Sequence, residues 1–309
     1  MSSIFFALQG AVAQGILWSI MAVGVYITFR ILDVADLTVD GSFATGGAVA
    51  AVVLTHGGHP LPAIAAGTAC GALAGLCTGM LITKCKIPAI LSGILTQIGL
   101  YSINLRIMGK SNIPLLGAEK LFDWSEKANI TTSLATILTG LVFVVIVVAV
   151  LYWFFGTEIG NAIRATGNNE QMVRAVGVNT DTTKLIGITL SNALIALSGA
   201  LVAQSQGSAD VKMGIGAIVI ALASIVIGEV VFSKINRNFA VRLTAIVVGS
   251  IIYRMIIAIV LQMGLSTDDL KLLTAIIVGI ALTTPVILAN RTQIANYKKL
   301  TEEVDARNA

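Results

Sequence analysis

The sequence predicts an all-α integral membrane protein of about nine transmembrane segments, in two inverted-topology halves with short or discontinuous helices. Three observations carry this reading. Apolar residues fill 56% of the 309 positions and charged residues only 12%, a balance that a soluble core does not require. Apolar runs recur from end to end, most of them near the ~20 residues that cross a ~30 Å hydrocarbon layer. The second run of each half is short or broken by glycine beside an acidic residue, which is the pattern of a discontinuous helix at a translocation path.

The nine segments run from Ile4 to Phe29, Leu37 to Thr55, Leu61 to Thr83, Pro88 to Met108, Leu134 to Phe155, Leu185 to Gln204, Gly214 to Phe232, Phe239 to Met263 and Leu272 to Ala289. The opening "MSSIFFALQG" has no basic region and no small-residue cleavage site, so it is expected to begin the first span and not to be a signal peptide. In the third segment Gly67, Gly71, Gly75 and Gly79 repeat every four residues. That stripe lets another helix approach closely. Cys70, Cys77 and Cys85 fall in or after the same segment and are expected to pack as buried thiols without a disulfide.

Loop charges set the orientation. With the C-terminus inside, thirteen Lys and Arg fall on the inner side and six on the outer, with Arg254 left within a span. The expected protein is therefore one transmembrane domain over 1–309, N-terminus outside. It has a first half at about 1–110, a cytoplasmic loop at about 156–183, a second half at about 184–289 and a cytoplasmic tail at 290–309.

The two broken segments mark the path. From Ala44 to Thr55 a helix is only about 18 Å long, so crossing requires "LTVDGS", with Thr38, Asp40 and Ser42. Its counterpart follows "ADVKMG", with Asp210 and Lys212, and is interrupted at Gly214 and Gly216. Asp33 and Asp36 are expected at the inner interface, Glu229 near the inner headgroups, and Asp40 at a depth where Arg254 could reach it. "THGGHP" carries His56 and His59, and with no third ligand nearby it reads as a tight outer turn and not a metal site. No catalytic triad, paired-carboxylate site or nucleophile elbow is present, and interior Ser and Thr are expected to bond backbone carbonyls. The outer loop holding Lys110, Lys120, Lys127, Glu119, Asp123 and Glu126 suits a docked protein as a polar rim.

The longest inner loop is "GTEIGNAIRATGNNEQMVRAVGVNTDTTK". It predicts a helical stretch from Glu158 to Ala165, a break at Thr166 to Asn168, and a short helix capped by Asn168 with Gln171 and ended by Gly177 in the left-handed conformation. Met172, Val173 and Val176 would form an apolar face beside Arg164, Arg174 and Glu170, shaped to dock in a partner's groove.

This loop and the span after it, "GNAIRATGNNEQMVRAVGVNTDTTKLIGITLSNALIALSGALVA", resemble the signature region of permeases from bacterial ATP-binding-cassette importers of the branched-chain amino acid, ribose and nucleoside type. The family's loop pattern of arginine, glycine, asparagine, arginine and glycine is matched by Arg164, Gly167, Asn169, Arg174 and Gly177. "LDVADLTVDGSFATGGAVAA" and "SADVKMGIGAIVIALASIVIGE" are similar to its first-half and second-half motifs. "FRILDVADLTVDGSF" and "GLYSINLRIMGKSNI" look most like single-permease systems assigned to tryptophan, tyrosine or related amino acids. One departure is Glu170, where many relatives have proline.

The resemblance implies a second permease copy, two ATPase subunits docked at Asn169 to Val176, an extracytoplasmic substrate-binding protein, and a bacterial plasma membrane. It implies no cofactor and no nucleic acid. The chain itself has no "GxxxxGK[ST]" phosphate loop, so ATP hydrolysis would fall to another polypeptide. A competing class, an ion-gradient-driven transporter, would use Asp40, Glu229 and Arg254 as a relay. It leaves the apolar face at Met172, Val173 and Val176 without a role. An intramembrane enzyme would lack candidate catalytic groups.

Overall fold

Helices dominate the described residues, and their caps follow from the sequence. The computed structural model describes residues 2–124, 131–232 and 238–262, and beyond them only 272, 274–276, 278–280 and 283. Helix α1 (Ser2–Tyr26) runs into a π-helical turn (Ile27–Ile31), followed by an extended segment and α2 (Val39–Thr55). Then come α3 (Pro60–Thr83), α4 (Ala89–Met108), β1 (Asn112–Pro114), α5 (Thr132–Phe154), α6 (Glu158–Asn168), α7 (Glu170–Ala175), α8 (Thr180–Gln206), β2 (Ser208–Asp210), α9 (Ala217–Val231) and α10 (Phe239–Gln262). Prolines stand at the starts of α3 and α4, where a missing N–H costs nothing, and Gly109 and Gly207 close α4 and α8 with φ of 67° and 71°.

The described residues form a mostly helical membrane protein with one small ribbon among them. Among the described residues six helices are long and apolar enough to cross a membrane, while α2 and α9 are shorter apolar helices. More than half of the ninth expected segment, Leu272 to Ala289, and all of the tail lie outside the described residues. The sequence reading contains no strand, yet Asn112, Ile113 and Pro114 pair antiparallel with Asp210, Ala209 and Ser208. The ribbon joins the loop after α4 to the loop after α8.

Helix α8 is the axis of the packing, with α1, α2 and α3 laid along it. The glycine stripe of α3 meets α8 as its spacing predicts: a Cβ on Gly71 would sit 2.1 Å from the Ala196 Cβ. From the other side, a Cβ on Gly46 of α2 would sit 2.0 Å from the Ala196 carbonyl oxygen. Only glycine permits this approach of backbone to backbone. Serines fasten α8 to α1: Ser198 donates to the Leu17 carbonyl and Ser191 to the Gly24 carbonyl, both at 2.7 Å. Ser250 of α10 donates to the Gly15 carbonyl at 2.9 Å. Leu17, Ile20, Met21, Phe43, Ile195 and Leu201 fill the core between them.

The cysteines do not follow the expectation of burial. They are free thiols, but Cys77 and Cys85 are exposed and Cys70 is half-buried. Cys70 and Cys77 share a helical face as expected, but that face looks into an open apolar groove between α3 and α4, away from the glycine stripe that takes α8.

Candidate functional site

The chain between α1 and α2 brings the first group of polar side chains together. After Ile31 it leaves the helix, with Asp33 exposed at a φ of 54°, and has no regular structure before Thr38. Asp36 is fully buried inside the fold and not open to solvent as Asp33 is. Its carboxylate accepts from the Thr38 amide at 2.8 Å and from the Asn192 side chain at 2.7 Å. Asn192 in turn accepts from the Ser42 hydroxyl at 2.6 Å, and the Thr38 and Thr78 hydroxyls are 2.8 Å apart. A buried carboxylate is tolerated where several donors surround it. Thr38 and Ser42 are thus members of an interior network tying α2 to α3 and α8.

Asp40 faces the other way. Helix α2 begins at Val39, so the segment does recruit Asp40 as its length requires, and α9 begins immediately after Gly216 at a φ of 84°. The two helix N-termini meet: the Asp40 carboxylate accepts from the Gly216 amide at 2.9 Å and from the Ile218 amide at 3.1 Å. A carboxylate suits this position because free N–H groups and the positive end of the helix dipole converge there. One acid therefore serves the first turns of two short helices.

Arg254 is not its partner, which corrects the expected pairing. The Arg254 guanidinium lies over the Trp18 ring, 4.0 Å from its centroid, and its Nε and Nη2 have no hydrogen-bond partner. Asp40 meets its need through main-chain amides instead. Glu229 pairs with Arg30 in the π-helical turn after α1. Asp210 braces its own loop, accepting from the Lys212 amide at 2.7 Å and from the Asn112 side chain at 3.2 Å, and the Lys212 side chain is exposed.

Beside Asp40 lies a cavity of about 210 Å³, bordered by Gln97, Tyr101 and Asn104 of α4 and by Val211 and Ile215. Asn104 is fully buried, and neither polar atom of its carboxamide has a partner. None of these three α4 residues figures in the expectations from sequence. Their signal was the spacing i, i+4, i+7, which sets three polar groups on one face of an otherwise apolar span. The turn at His56 to His59 is present, with Gly57 at a φ of 80° and His56 Nδ1 2.8 Å from the Val52 carbonyl. No cluster of three metal-ligating side chains occurs among the described residues.

The inner loop is built differently in detail from its expected form. Helix α6 continues through Asn168, because the Thr166 hydroxyl is satisfied inside the fold, donating to the Ala162 carbonyl at 2.7 Å and lying 2.9 Å from the Thr183 hydroxyl. The cap of α7 is accordingly Asn169 and not Asn168: its side chain accepts from the Met172 amide at 3.0 Å. Gly177 does take the left-handed conformation, at a φ of 90°. Gly167 sits where a Cβ would fall 1.8 Å from the Ile31 carbonyl oxygen, so the end of α6 is pressed onto the end of the π-turn.

Glu170 anchors α7 to α8. It accepts from Lys184 at 2.6 Å, from Arg174 at 2.8 Å and from the Thr180 hydroxyl at 3.1 Å, while Arg174 Nε donates to Thr180 at 2.6 Å. The Lys184 hydrogen bond, ahead of any charge effect of Arg174, holds the Glu170 carboxyl below its ordinary range. Arg164 packs over Phe239 at 4.0 Å and Phe155 at 5.3 Å, and burial lowers its pKa from the usual guanidinium value. Val173 is buried, so only Met172 and Val176, 65% and 75% exposed, remain from the expected apolar face.

Residues 7–283 match the family described as branched-chain amino acid transport system / permease component. The chain is 45% identical to the tyrosine transport system permease protein of Clostridioides difficile (strain R20291), over 86% of each chain. It is 29% identical to the ribose import permease protein RbsC of Escherichia coli (strain K12), over 68% of this chain and 65% of that one. It is 31% identical to the autoinducer 2 import system permease protein LsrC of Escherichia coli (strain K12 / DH10B), over 71% of this chain and 61% of that one. No solved structure matches. Two short helices meeting nose to nose, a capped loop helix with an outward apolar tip, and a match over nearly the whole length lead to one conclusion: the chain belongs to the permease-component family of branched-chain amino acid transport systems.

Proposed function

We propose that this chain is the membrane subunit of an ATP-binding-cassette importer, passing a small polar solute inward by alternating access while two separate ATPase subunits hydrolyse ATP. An amino acid is the first choice of solute, because the relative at 45% identity carries the name of a tyrosine transport permease. In this reading the chain spans the bacterial plasma membrane about nine times in two inverted halves, N-terminus outside. It works beside a second copy and receives solute from an extracytoplasmic binding protein.

The observation that carries the proposal is the geometry of α7. A six-residue helix, capped by Asn169 and pinned through Glu170 to Lys184 at the start of α8, turns Met172 and Val176 outward. An ion-paired, rigidly seated apolar tip is a means of passing a partner's movement into a span, and a lipid-surface turn has no need of such anchoring. Arg164, Gly167 and Arg174 hold the seat. The path runs past Asp40 and the α4 face of Gln97, Tyr101 and Asn104. Arg254 stands apart from Asp40, and Glu229 is tied to Arg30, so the three do not form a chain for relayed protons.

The test is uptake of radiolabelled tyrosine into proteoliposomes holding the permease with or without its ATPase and binding-protein partners. ATP-dependent uptake only in the complete system is expected. Uptake driven by a proton gradient without any ATPase would overturn the proposal.

A further inference from the structure

At the same end of the spans as α7, a cleft of about 270 Å³ opens between three elements. It is lined by Tyr26 at the end of α1 and Arg30 in the π-helical turn after it, by Arg164 and Asn168 on α6, and by Phe239 and Arg242 in the first turn of α10. Three guanidinium groups face this space, and the carboxylate among their neighbours, Glu229, pairs with Arg30. Arg164 and Arg242 have no carboxylate partner among the described residues. Three cations against one anion leave two positive charges in one cleft. The aromatic faces of Phe155 and Phe239 orient the Arg164 guanidinium without neutralising it.

We propose that this cleft binds a phosphate group. Guanidinium forks match phosphate oxygens in pairs, and a phosphate's one to two negative charges fit the two that are unbalanced. The exposed Asn168 carboxamide adds a neutral donor at the rim, and the buried Tyr26 hydroxyl meets Arg242 in the wall. The space equals roughly nine waters in bulk volume, enough for a phosphate and its ester. Position names the sources: Arg30 closes the span Phe6–Ile31 and Phe239 opens the span Phe239–Gln262, the level at which lipid headgroups lie. The phosphate is then that of an anionic lipid, or a free ion with the same chemistry. Once bound, it joins α6 to α1 and α10 and stiffens the seat of α7.

Thermal unfolding of the full-length protein in detergent tests this, with phosphatidylglycerol, phosphatidylcholine, inorganic phosphate or sodium chloride of equal ionic strength added to separate samples. A rise of about 5 °C is expected at a hundredfold excess over Kd. A rise with phosphatidylglycerol alone identifies a lipid headgroup, and a rise with inorganic phosphate identifies the ion itself. Arg242→Gln should remove most of the rise, and Arg242→Lys, which keeps the charge but loses the fork, should remove part of it. If neither phosphate source exceeds its control in the wild type, the inference fails, whatever the variants do. It fails equally if Arg242→Gln folds and keeps the full rise.

Discussion

The carboxylate of Asp40 accepts the main-chain N–H of Gly216 at 2.9 Å, joining the first turn of α2 to the N-terminus of α9. Asp40→Asn keeps the shape but removes the charge and one good acceptor. It should lower stability by about 1 kcal/mol, and Asp40→Ala by about 2. Thermal unfolding checks the order. The double variant Asp40→Arg with Arg254→Asp should show no recovery, because the two residues have separate partners.

The outer tip of α7 gives a sharper prediction than its sequence does. Met172→Asp and Val176→Asp should each cut co-purification of the ATPase subunits at least about tenfold while leaving permease unfolding unchanged, since surface substitutions rarely move stability by more than ~0.5 kcal/mol. Val173→Asp should instead destabilise the permease itself, because Val173 is only 7% exposed and would bury a charge.

Glu170 makes the loop sensitive to acid. Its folded-state pKa lies below the unfolded one, so its contribution is complete above the ordinary glutamate value near ~4.3 and is lost as pH falls through the depressed folded value. Hydrogen exchange of the α7 amides should therefore quicken as the pH is lowered below about 4, beyond the intrinsic trend. Glu170→Gln should exchange faster at neutral pH and lose the additional acid response.

The face between α3 and α8 is tested by size. Gly71→Val should destabilise by about 3 kcal/mol or prevent accumulation of folded protein, because there is no room beside Ala196. Gly10→Ala on α1, where an added Cβ meets nothing within 4 Å, should be neutral or stabilising by up to about 1 kcal/mol. Detergent-solubilised yield and unfolding temperature separate the two.

Features with a local cause were readable in the residues. The four-residue glycine period announces a close helix contact, the short run after Ala44 forces α2 to start near Asp40, and Gly177 ends α7. Features that depend on distant partners were not. Asp36 sits in sequence like an interfacial acid, yet its buried donor, Asn192, is 156 positions away. Asn168 and Asn169 are equally good caps by residue type, and the choice falls to Asn169 only because Thr166 finds a partner in Thr183 and prolongs α6. Val173 reads as an outward apolar residue until the seat made by Glu170 turns it inward. The α4 face of Gln97, Tyr101 and Asn104 has a readable period, but the apolar residues between them give the run the composition of an ordinary lipid-facing span.

Helices α2, α3 and α8 meet at glycines, which bring backbone against backbone or against a single Cβ, with little side chain between them at those points. Such a contact has no slack for sliding, so the three must travel as one solid piece. The connection from that piece to α9 runs through two hydrogen bonds onto a single carboxylate, beside one close backbone contact of Gly214 with Asp40. If the protein rocks, the pivot is the hinge at Asp40, and the glycine stripe is what makes everything on one side of that hinge a lever.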